Sequence, residues 1–138
     1  MHDPTFLALF VPQSLNDAAP EDAIEEAERS IGQALPPSYR AFLAVSNGYD
    51  DVVGQNHLSL WPAGQLALRN DMLEVSRRIA DLVLIGSNGG GTVYGINWTG
   101  GTPQFVGVAF AAMQLGETRV LAATFEDFVR SVASGDAR

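Results

Sequence analysis

The residues most able to do chemistry cluster near the middle of the chain. Asp50-Asp51 follows directly on Asn47-Gly48-Tyr49. Adjacent carboxylates could bind a cation or divide acid and base work between them. Acids after a helix end more ordinarily form a solvated loop; the functional alternative is a recognition patch beside an exposed Tyr49. His57 is the single histidine in the body of the chain, within Gly54-Gln55-Asn56-His57. A Ser–His–Asp hydrolase would have to use it, yet the sequence holds no G-x-S-x-G elbow. A metal site on His57 would need carboxylates from elsewhere, and no H-x-x-E or D-x-D-x-D pattern supplies them. Trp61 and Trp98 could stack on a ligand, although burial on a sheet face is the commoner fate of Trp.

The run Gly86-Ser87-Asn88-Gly89-Gly90-Gly91 invites a phosphate-binding reading. Glycine loops cradle phosphate when they open a helix whose amides face the anion. This one lies between two strand-like runs and contains no Lys or Arg. We therefore expect it to join two adjacent strands and to bind no nucleotide.

Composition removes whole chemistries. The 138 residues contain no Cys and, all eight bases being Arg, no Lys. A Walker A loop and a Schiff-base enzyme both need Lys. A thiol nucleophile, a disulfide and an iron–sulfur site all need Cys. Sixteen acids against eight bases give a formal charge of -8. Affinity for nucleic acid and anionic membranes rests on Lys and Arg, so neither is an expected partner; a basic protein is. The apolar run Phe6 to Val11 is too short to span a bilayer and lacks a basic start, which leads to a cytoplasmic expectation. At 46% hydrophobic residues and a mean hydropathy of +0.07, the chain is able to bury a core.

The elements that must position these residues are marked by caps and periodicity. Residues 12–22 read as a loop into a helix over 21–31, with Pro20 and four acids at its start and Gly32 as its stop. Ile24, Ala27 and Ile31 form its apolar stripe. A second helix starts at Pro36-Pro37, runs to about residue 46, and buries Tyr39, Phe42 and Leu43. Strands are expected at 58–61, 81–85, 92–98, 104–110 and 119–122, and a helix over 65–80. Tyr94, Ile96 and Trp98 share one strand face. A last helix over 124–134 is capped by Thr124 and Asp127 and buries Phe125, Phe128, Val129 and Val132. Tight turns between strands make the sheet mostly antiparallel, flanked by an N-terminal helical hairpin and a C-terminal helix. The fold class is α+β.

Taken in order, these residues resemble the SUKH superfamily. Ile24 to Gly48 carries its opening signature, an amphipathic helix followed by Leu35-Pro36, Tyr39, Phe42-Leu43 and Asn47-Gly48. Leu60-Trp61, Arg69-Asn70, Ile85 to Gly91 and Ala123 to Val129 match further along, so the resemblance spans roughly residues 22–135 and matches less clearly before them. It implies an α+β domain over 1–138 with a mixed, mostly antiparallel sheet and no shared enzymatic residues. It also implies an immunity protein that neutralises a secreted toxin by direct binding, or a regulatory scaffold of the same family. A small hydrolase using His57 is the enzyme alternative. No cofactor and no metal are expected. For a basic nuclease toxin the candidate partner-binding residues are Tyr49, Asp50, Asp51 and, on the outer face of the mid-chain helix, Glu74.

Overall fold

The computed structural model describes residues 4–115 and 117–137. Helices α1 (Pro4–Leu7), α2 (Glu21–Ile31) and α3 (Pro37–Leu43) precede the hairpin strands β1 (Tyr49–Val53) and β2 (Asn56–Leu60). Two short helices, α4 (Leu66–Met72) and α5 (Val75–Arg78), lead into β3 (Leu82–Ser87), β4 (Thr92–Asn97) and β5 (Gln104–Ala109). A 3-10 segment, Phe110–Leu115, precedes β6 (Arg119–Ala122) and the closing helix α6 (Phe125–Ser134). The six strands form one sheet in chain order, and every pairing is antiparallel. The α+β class is as expected, without the parallel pairing that a mixed sheet would need.

Local chemistry explains most boundaries. Gly32 closes α2 at φ 77°, where a left-handed residue is needed and its N–H reaches the Glu28 carbonyl. The Thr124 hydroxyl accepts the Asp127 N–H to start α6, and Ser38 in α3 accepts the neighbouring Phe125 N–H at 2.9 Å. That second bond fixes the N-terminal helices to the C-terminal one. Asn47-Gly48 then turns the chain into β1. The Asn47 carboxamide oxygen accepts the Ala63 N–H at 2.8 Å, and a Cβ on Gly48 would lie 2.8 Å from the Leu60 carbonyl oxygen.

The expected helix over 65–80 is broken. It divides into a 3-10 turn at Ala63–Gln65, then α4 and α5, with Glu74 between them at φ 52°. The apolar residues beneath explain the break: Leu66 packs into one core cluster and Val75 into another on the opposite side of the sheet. A straight helix could not serve both. The helices at the chain ends do cover one face, as expected. There Ile24, Phe42, Phe125 and Phe128 pack on Leu58, Ile85, Tyr94, Ile96 and Phe105. On the other face, Val75 and Ile79 pack with Leu82, Leu84, Val93, Val106 and Val108. Burial on both faces explains why β3 reads as a continuous apolar run.

One gap in the sheet is filled by a side chain. β2 meets β3 only at Ser59–Ser87 and Leu60–Gly86, so the upstream edge of β3 lies open. The Asn70 carboxamide occupies it, donating to the Leu84 carbonyl at 2.9 Å and accepting the Leu84 N–H at 2.7 Å. Its second donor hydrogen reaches the Leu66 carbonyl at 2.8 Å. By contrast, the buried Tyr39 hydroxyl has no hydrogen-bond partner among the described residues, and burial pushes its pKa upward.

These two polar groups have opposite consequences. Asn70→Ala leaves two backbone groups of β3 unpaired and should lower unfolding stability in urea by about 2 kcal/mol. Tyr39→Phe removes a buried hydroxyl that gains nothing, so stability should stay level or rise by about 1 kcal/mol. A clear loss in Tyr39→Phe would contradict the assignment of that hydroxyl as unpartnered.

Candidate binding surface

Strand geometry separates residues that are adjacent in sequence. Tyr49, Asp50 and Asp51 lie in β1, not in the expected solvated loop. Successive strand side chains point to opposite faces, so the two carboxylates diverge and do not act as a pair. Asp50 shares its face with His57 and Ser59 of β2, whereas Tyr49 and Val53 face the core.

Tyr49 is 1% exposed, which corrects the expectation of an exposed aromatic anchor. Its ring packs edge-on against Phe10, centroids 4.8 Å apart, and its hydroxyl is engaged twice. It donates to the Val52 carbonyl at 2.6 Å and accepts the Val11 N–H at 2.9 Å. Desolvation raises its pKa. The reason is the N-terminal segment, which bridges to β1 at Phe10–Val53 and Leu15–Tyr49 and covers it. Phe6 and Phe10 therefore belong to the core, consistent with the apolar run at 6–11 packing on the body.

Asp51 is held by the same segment. It accepts the Ser14 hydroxyl at 2.6 Å and the Val52 N–H at 2.6 Å. Both bonds favour the ionised carboxylate, the Ser14 bond most, and lower its pKa. Asp50 is different: its side chain is 74% exposed and lies 2.8 Å from Nε2 of His57. The His57 ring also supports the glycine loop, because a Cβ on Gly89 would lie 2.8 Å from its Cδ2. The Asp50–His57 pair is exposed, and no hydrogen bond joins His57 to a side-chain hydroxyl among the described residues.

The glycine loop joins β3 to β4, as expected. Its amides are used internally. Gly89 N–H donates to the Ser87 hydroxyl, and Gly90 and Thr92 N–H groups donate to the Asn88 carboxamide. It leads into a strand, so no helix dipole faces outward from it.

Glu74 stands apart from Asp50. It occupies the left-handed break between α4 and α5, not the face of a continuous helix, and lies 3.5 Å from Arg77. There it lines a groove of about 510 Å³ with Asp71, Asp81 and Trp98. Trp98 is half-buried at this groove, while half-buried Trp61 has the Arg69 guanidinium 5.0 Å from its ring centroid. No group of three potential metal ligands occurs among the described residues.

The broader electrostatic pattern lies elsewhere. Residues 1–64 hold nine acids and two arginines, and therefore seven of the eight net negative charges. Residues 65–115 hold three acids and three arginines. On α2, Arg29 pairs with Glu26, and Arg40 of α3 pairs with Glu21 and Glu28 of α2. Asp22 and Glu25 are exposed and make no ion pair within 4 Å among the described residues. Glu21 and Asp22 lie in the first turn of α2, where the helix dipole favours acids.

These features define an α+β domain: a six-stranded meander covered on both faces, with its acid concentrated in one part of the chain. The chain belongs to the SMI1 / KNR4 family (SUKH-1), which matches residues 18–131. That family is generally of the immunity type and generally non-enzymatic. Comparison with curated proteins finds no match. Among the described residues no helix is long and apolar enough to cross a membrane.

Ser14→Ala should move the Asp51 titration upward towards its ordinary value of 3.8, read by carboxyl chemical shifts. A depressed native pKa stabilises the fold above the unfolded value, and that contribution disappears as pH falls through the native value. The stability difference between wild type and Ser14→Ala should therefore be larger at neutral pH than well below 3.8. An unchanged Asp51 titration would show that the serine bond does not set it.

Proposed function

We propose that this chain is an immunity-type protein that neutralises a secreted toxin domain by binding it, without chemistry. The observation that carries the reading is the charge segregation, with seven of eight net negative charges in residues 1–64. A nuclease that holds phosphates is basic, and opposite fields accelerate encounter. In this reading the carboxylates of Asp22 and Glu25 steer the toxin and then cover its substrate groove, in the cytoplasm. Asp50 remains a secondary candidate because it is exposed, and Glu74 another at its own groove. Tyr49 is buried and fixes β1 against the N-terminal segment, while half-buried Asp51, bonded to Ser14, remains a further candidate.

The direct test is co-purification with the toxin-like end of a neighbouring gene's product, followed by association kinetics at low and moderate salt. Asp22→Asn/Glu25→Gln should slow association several-fold at low salt and flatten its salt dependence, with a smaller effect on dissociation. Asp50→Asn should have a weaker effect of the same sign. Association rates that are unchanged in both variants at low salt would overturn the steering mechanism. Failure of any neighbouring toxin domain to bind would overturn the immunity reading itself.

A further inference from the structure

Most large apolar side chains exposed on this protein lie outside its acidic half. Met72 is 72% exposed, Leu68 60% and Phe110 50%. Leu68 and Met72 lie on α4, and Phe110 begins the 3-10 segment after β5. Two adjoining hollows of about 330 and 360 Å³ connect them through Met72 and Leu73, which line both. Together they form one apolar patch rimmed by charge.

We infer that this face is where a second copy of the same chain docks. The argument is electrostatic. Two molecules each carrying -8 repel each other over most of their surfaces, and most strongly through residues 1–64. Residues 65–115, which carry the patch, have no net charge. The rim includes both signs, with Arg69, Arg78 and Glu74 lining the two hollows. A mixed-sign rim is self-complementary across a two-fold axis, where the cation of one copy meets the acid of the other. A basic toxin gains no attraction from a face rimmed by two arginines and one acid, so this occupant differs from the partner of the acidic half. The inference does not depend on the proposed function.

Sedimentation equilibrium of the full chain, from about 1 to 500 micromolar, tests it. The mass should rise from 14.7 kDa towards twice that value, and added salt should favour the dimer by screening the repulsion. Met72→Glu and Phe110→Ser should each weaken association by about tenfold or more, with circular dichroism unchanged because both side chains are exposed. Asp22→Asn/Glu25→Gln should dimerise at least as well as wild type, whatever it does to toxin association. A chain that stays monomeric throughout, or a dimer indifferent to both patch variants, overturns the inference. So does a monomeric chain whose toxin capture is abolished by Met72→Glu, because the face then belongs to the toxin.

Discussion

The carboxamide of Asn70 completes the sheet at the point where its own strands do not. β2 leaves β3 after two residue pairs, and a half-buried strand edge needs its N–H and C=O groups satisfied. Asn70 supplies both partners to Leu84 from a helix, and in doing so holds α4 against the sheet. The Trp61 N–H, which reaches the Ile85 carbonyl at 2.9 Å, fastens the next position along the same edge. Much else depends on this attachment. It places Val75 and Ile79 over the second face of β3 to β5, and it sets where the chain must break before Glu74. The apolar side chains left on the outer side of α4 follow from the same geometry.

Covering both faces also separates the surface by charge. The helices over the first face include α2, whose first turns carry acids that suit a helix start. The short helices α4 and α5 carry Arg69, Arg77 and Arg78 against the acid Asp71, with Glu74 at the break between them. Long-range attraction and apolar contact make different demands on a surface. Steering needs net charge with little desolvation, whereas a dry contact is cheapest where net charge is lowest.

The family signature is largely architectural here. Asn47-Gly48 forms a turn with no room for a Cβ at Gly48, Asn70 supplies the strand-edge bridge, and the glycine loop is a β3–β4 connection resting on His57. Phe42, Phe125 and Phe128 meet in one aromatic cluster, with Phe42 and Phe125 centroids 4.9 Å apart. Such positions serve the scaffold rather than the outer surface.

Caps, turns and periodicity in the sequence were sufficient for α2, α6, the 92–109 hairpin and the antiparallel character of the sheet. These are set within a few residues, by dipoles, positive-φ glycines and alternation. Chain-distant contacts decided the rest. Whether Tyr49 is exposed depends on Phe10 and Val11, nearly forty positions away, and whether Asp51 is free depends on Ser14. The β1 strand itself was hidden because Asp50-Asp51 disfavours a strand locally, while pairing with β2 and cover from the N-terminal segment outweigh that preference. Charge totals were likewise legible as composition. Which carboxylates pair, which face solvent and which side is neutral followed only from packing, because ion pairs and exposure are properties of neighbours in space.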